Sequence, residues 1–96
     1  MTLEEAVAIF EQAGLEVSFG PDGFVAAAGR REPHESVKAQ GVAWTFDFGF
    51  SARTIDSTWF FRREPPPKPA EQYSTLDEVV TRGLELFKHY RNGDSP

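Results

Sequence analysis

Three groups of residues in this chain have the types and spacings that chemistry requires. His34 stands in Glu-Pro-His-Glu, with Glu32 and Glu35 beside it. These are metal-ligand types, but a closed site needs further ligands from elsewhere in the chain. Asp47 and Asp56 fall on neighbouring strand candidates, on one sheet face in the register that the aromatic pattern favours. Paired carboxylates so placed do acid/base or metal work. Arg30-Arg31 and Arg62-Arg63 are two basic pairs, and guanidinium groups fork onto phosphates and carboxylates.

The surroundings weaken the catalytic readings. Thr45, Gly49 and Thr58 around the two aspartates read as a polar sheet surface, and His34 sits in a polar loop. His89 belongs to a helix C-terminus, where its charge complements the dipole. The chain has no Gly-rich phosphate loop, no Gly-x-Ser-x-Gly, no His-x-x-x-His and no cysteine. No catalytic residue, metal ligand or cofactor is expected. An enzyme using Asp47, Asp56 or His34 is the third reading, behind protein binding and nucleic-acid binding.

The elements that would position these residues can be read from period and punctuation. The stretch from Gly41 to Arg63 dominates. Val42, Trp44, Phe46, Phe48 and Phe50 alternate with smaller or polar residues, the period of a half-buried strand. The alternation resumes after Ser51–Thr54, with Ile55, Ser57, Trp59 and Phe61 on one side. This predicts a hairpin with strands 41–50 and 54–63. A four-residue loop on a type I turn sets Phe46 beside Trp59 and Trp44 beside Phe61.

Before it, Thr2-Leu-Glu-Glu5 has the form of a capping box, and Leu3, Ala6, Val7, Phe10 and Ala13 recur at helical spacing up to Gly14. A helix over 3–13 follows. Strands 15–20 and 24–29 flank Gly20-Pro-Asp-Gly23, read as a type I turn with Gly23 in the left-handed position. That three-residue loop sets Phe19 opposite Val25 and turns Phe24, Ala26 and Ala28 to the outer face. Residues 30–40 read as a loop, and 64–73 as a Pro-rich connector running as polyproline II. Thr75-Leu-Asp-Glu78 starts a helix over 76–91, with Gly83 in its apolar stripe for close approach to the sheet, and 92–96 form a tail.

The result is one α+β domain over 1–96, ordered α-β-β-β-β-α. It is expected to be a two-layer sandwich with a four-stranded antiparallel meander and two helices on one face. That order is loosely that of double-stranded RNA-binding domains. The helix starting at Ser74-Thr-Leu-Asp-Glu78 lacks the basic cluster such domains set on phosphates, so no family is assigned.

Charge narrows the partners. The net charge is −5 over 96 residues. All of the excess lies in residues 1–29, where Glu4, Glu5, Glu11, Glu16 and Asp22 meet no Lys or Arg. This acidity disfavours a general nucleic-acid surface. No apolar run reaches the ~20 residues of a membrane span, and the start lacks the pattern of a signal peptide, so a cytoplasmic protein without membrane contact is expected.

The sequence thus predicts a small non-catalytic binding module, an adaptor or an inhibitor. One form is an inhibitor of the kind mobile elements encode, presenting Glu4 and Glu11 to a nucleic-acid-handling protein. The expected contact surfaces are the apolar outer face of Phe24, Ala26, Ala28 and Phe60, covered by a protein partner or a second copy on the Phe24–Ala28 side and by Pro65–Pro69 folding back over Phe60, and an arginine end. In the meander, Arg30, Arg31, Arg62 and Arg63 gather at that end with Lys38. Nucleic-acid binding through this cluster is the second reading.

Overall fold

The computed structural model describes residues 1–41, 45–64 and 68–93. Helix α1 spans Leu3–Ala13 and starts as its sequence dictates: Thr2 Oγ1 accepts from Glu5 N at 3.1 Å, and Glu5 Oε1 accepts from Thr2 N at 2.9 Å. Gly14 closes it in the left-handed region, with φ 111°. Strands β1 (Glu16–Gly20) and β2 (Gly23–Arg31) follow, then a one-turn helix α2 (Glu35–Lys38) inside the expected loop. Strands β3 (Thr45–Ile55), β4 (Thr58–Arg63) and β5 (Glu71–Tyr73) come next, and helix α3 (Leu76–Arg91) completes the order.

The sheet is an antiparallel meander of five strands, β1-β2-β3-β4-β5. The extra strand is β5, three residues long, which pairs Tyr73 with Trp59 and Glu71 with Phe61. It lies within the stretch expected to be a proline-rich connector. Proline cannot donate to a ladder, but residues 71–73 contain none and form an edge.

Both hairpins turn elsewhere than the sequence suggested. Between β1 and β2 only Pro21 and Asp22 form the turn, and Gly20 pairs with Gly23. Gly23 is not left-handed. It is a glycine because β3 passes close by: a Cβ there would stand 2.8 Å from Arg53 Cα and also strike the Ala52 carbonyl. This one-residue difference reverses the faces of β2. Phe24, Ala26 and Ala28, expected on the outer face, are core residues at 4%, 0% and 8% exposure. Val25 and Ala27 take the other face, and Phe19 pairs with Phe24 rather than Val25.

Between β3 and β4 the turn is Asp56-Ser57, four residues later than the centre of the expected loop. Both residues have positive φ, 50° and 66°. This is the primed geometry that matches strand twist in two-residue hairpins. Ile55 pairs with Thr58, Thr54 with Trp59 and Ala52 with Phe61. Phe46 therefore lies opposite Arg30 of β2, not Trp59. Trp44, expected beside Phe61, falls outside the described residues, as do Val42, Ala43, Pro65–Pro67 and the tail beyond Gly93.

The slide is even, so the inner face of the pair survives it. Phe48, Phe50, Ala52 and Phe61 are buried with Phe10 of α1 and Val79, Leu86 and Phe87 of α3. Phe50 stands at the centre, its ring centroid 5.2 Å from Phe10 and 5.1 Å from Phe61. Such contacts add to the burial of the rings themselves. No polar or charged side chain is buried among the described residues.

Candidate binding surfaces

The expected arginine end does not assemble. Arg31 lies level with Thr45 of β3, while Arg62 lies level with Ser51. Six strand positions separate them, roughly 20 Å at ~3.3 Å per residue. The displaced β3–β4 turn is the cause, because it halts β4 well short of the level where β2 ends. Each pair also has local partners. Arg30 faces Glu16 at 3.6 Å, Arg31 is ion-paired with Asp47, and Arg62 lies 3.7 Å from Glu64. Lys38 is engaged by Glu32.

The catalytic candidates are dispersed as well. Asp47 is held by Arg31 on β3, and Asp56 lies in the turn at the far end of that strand. His34 is exposed, and Ser36 Oγ stands 3.5 Å from its Nδ1. Among the described residues no group of three His, Asp or Glu side chains could hold a metal ion. No helix there is long and apolar enough to cross a membrane. Glu4 and Glu11 are exposed on α1, and Glu5 is drawn into the cap, where the Thr2 backbone N–H and hydroxyl hold its carboxyl below the usual range.

Two surfaces emerge instead. The first is the sheet face opposite the core. Register places Val25, Ala27, Gly49, Ser51, Arg53, Ile55, Thr58, Phe60 and Arg62 there, alternating with the buried positions. Val25 is 54% and Ile55 48% exposed, and Phe60 is half-buried between Arg53 and Gln72. Its middle is nearly smooth. A Cβ on Gly49 would lie 2.9 Å from the Glu64 carbonyl, so that position admits no side chain. Arg53 and Arg62 are diagonal neighbours across β3 and β4, within reach of one ligand. Arg53 has no ion-pair or hydrogen-bond partner among the described residues.

The second is a cavity of about 430 Å³ at the end of β4, lined by Arg63, Lys68, Glu71, Arg82 and Leu86. One wall is a closed network. Arg82 donates from Nε to Glu71 Oε1 at 2.9 Å and from Nη1 to Glu85 Oε1 at 2.9 Å, and the Tyr73 hydroxyl also donates to Glu71. Burial pushes the Glu71 carboxyl up, but the hydrogen bonds from Arg82 and Tyr73 outweigh it and leave the carboxyl below its ordinary value. Those same bonds raise the Arg82 guanidinium. The other wall is unbalanced. Arg63 lies over the Phe48 ring, 4.8 Å from its centroid, and its Nε is buried with no hydrogen-bond partner. Burial, then the positive charge of Arg82, lowers its guanidinium. Arg82 was missed from sequence because residues 63, 68, 71 and 82 share no period. The one available signal was Glu71 set apart from other charges before a helix carrying Arg82 toward the sheet.

No protein-family model matches the chain, and no curated protein or solved structure matches it.

Proposed function

We propose that this chain is a small non-catalytic module that binds an acidic protein partner across the outer face of its sheet. In this reading the domain is a two-layer sandwich, with α1 and α3 forming one layer and the other sheet face free to act. The observation that carries it is the composition of that face. Val25, Ile55 and Phe60 offer apolar contact, Ala27 and Ser51 let a partner approach closely, and Arg53 and Arg62 supply adjacent cations. Apolar anchors ringed by arginines are the usual composition of a protein interface. Among the described residues Arg53 has no acid beside it and Arg62 has only Glu64 at 3.7 Å, so the pair carries one unbalanced cation, which favours an acidic surface. The net charge of −5 opposes the phosphate backbone of nucleic acid, although Phe60 beside two arginines is a stacking arrangement.

The test is site-specific photo-crosslinking in the native host from Val25, with Glu11 on α1 as the control position. The expected result is a protein adduct from Val25 alone, lost on Arg53→Glu and Arg62→Glu while the melting temperature holds. Equal adducts from both positions, or adducts sensitive to nuclease, would overturn the reading.

A further inference from the structure

We propose that the cavity between β4, β5 and α3 is a binding site for a phosphate group, held by Arg63 and Lys68 and braced by Arg82. This site lies at the β4 end and stands on its own observations, whatever occupies the outer sheet face.

Two cations at this cavity have unmet bonding capacity. Among the described residues, Arg63 has an aromatic ring for company but no acidic partner, and its Nε is sealed from water without an acceptor. A buried donor left unpaired is costly, and an anion that drew the Arg63 guanidinium toward the cavity would relieve that cost. Lys68 faces the same cavity with no acidic partner for its ammonium among the described residues. Its backbone is fixed, because its carbonyl accepts from Arg62 Nε at 3.0 Å. A cation on an anchored backbone is part of a built wall rather than a loose surface charge.

Arg82 explains why the wall keeps its shape. Glu71 and Glu85 occupy its fork, so it does not move to neutralise an incoming anion and instead holds the cavity open beside Arg63. Four charged groups line the cavity, the cations Arg63, Lys68 and Arg82 and the carboxylate of Glu71; with Glu71 and Glu85 both spent on Arg82, the unmatched pair is Arg63 with Lys68.

The geometry favours phosphate over carboxylate. A planar carboxylate satisfies one guanidinium fork. A tetrahedral phosphate has three acceptor oxygens and a charge of about −1.5 to −2 at pH 7, so it meets a fork and a separate ammonium from different directions. The volume of about 430 Å³ also exceeds what an ion alone fills, leaving room for the group that bears the phosphate. The Arg63 guanidinium is lowered first by burial and then by the positive charge of Arg82, and an anion relieves the second of these.

The experiment is titration of the whole chain, at constant ionic strength, with inorganic phosphate, O-phosphoserine and succinate, following backbone amides by NMR. Expected are shifts at residues 63, 68, 70, 71 and 82 with the two phosphates and none with succinate. Lys68 is exposed, so Lys68→Met should keep the fold and weaken phosphate roughly tenfold, the loss of one charge-assisted bond. Arg63→Lys keeps the charge, loses the fork and should weaken phosphate by a similar factor. A phosphoserine peptide that binds at least tenfold tighter than free O-phosphoserine assigns the phosphate to a protein, and equal affinity assigns it to a small ester. Succinate acting as phosphate does, Lys68→Met binding like the parent, or no shift at tens of millimolar would overturn the site.

Discussion

Gly83 of α3 packs directly on the ring of Phe50, at a spot where a Cβ would stand 2.8 Å from Phe50 Cζ and 2.9 Å from the Phe10 ring. The contact joins α3, the central strand and α1 at one point. It also sets the distance between helix and sheet, because neither ring has space to retreat: Phe10 is fully buried and Phe50 nearly so.

Gly83→Ala therefore separates two effects of opposite sign. Alanine favours a helix interior over glycine by about 1 kcal/mol. Overpacking a rigid core costs about 1–3 kcal/mol. The expected outcome is net destabilisation of roughly 1 kcal/mol, read from a lower urea midpoint at unchanged m-value. A gain in stability would show that the rings yield.

The phase of β2 gives a sharper contrast between adjacent residues. Val25→Lys sits on the exposed face and should change stability by no more than about 0.5 kcal/mol. Ala26→Lys forces an ammonium into the fully buried core with no partner and should cost more than about 3 kcal/mol. Thermal melts of the two variants decide the phase, and the reverse ranking would restore the outer apolar face expected from the three-residue loop.

That reversal shows what was legible in the chain and why the rest was not. The two long helices were readable because Thr-x-x-Glu starts, a full capping box at Thr2 and an N-cap at Thr75, coincide with apolar stripes, so two independent signals agree, whereas the single turn α2 carries neither. The inner face of β3 and β4 was readable because alternation of Phe48, Phe50 and Phe61 defines a face. Register was not, because a slide by an even number of residues preserves every face and the apolar match with it. Pro21-Asp-Gly23 misled for a different reason. Glycine signals either a left-handed turn or a close backbone approach, and only the neighbouring strand, distant in sequence, reveals which. The cavity at Arg63 was hidden in the same way, since β5 and α3 bring its walls together only in the fold.

The position of the β3–β4 turn has its own test. Ser57 occupies the left-handed region at φ 66°, which costs an L-residue about 1–2 kcal/mol and glycine almost nothing. Glycine loses more chain entropy on folding, about 0.5–1 kcal/mol. Ser57→Gly, which creates the favoured Asp-Gly pair, should stabilise the domain by roughly 0.5 kcal/mol. Ser51→Gly, in the middle of β3, should destabilise it by a similar amount. If the turn lay at residues 51–54, the signs would exchange, and chemical denaturation of both variants distinguishes the cases.

The last expectation concerns acid. Glu71 is held below its ordinary carboxyl value of 4.5 in the folded chain: burial pushes it up, and its bonds from Arg82 and Tyr73 more than compensate. A group whose folded pKa is depressed contributes stability that is full above the unfolded pKa and is lost as pH falls through the folded one. The contribution of Glu71 is thus present at neutral pH and fades as the solution is taken below about 4.5. The Arg82–Glu71 pair is partly exposed, with about a third of each side chain open to solvent, so screening limits its worth to under about 1 kcal/mol. Glu71→Gln should lower stability slightly at pH 7 and flatten the fall of stability between about pH 5 and pH 3, so that the two proteins converge in acid. Added salt should shrink the difference at pH 7, as it does for any ion pair open to solvent. Parallel pH curves, with the variant lower by the same amount at every pH, would mean that Glu71 acts through packing and that its charge does not hold the wall of the cavity.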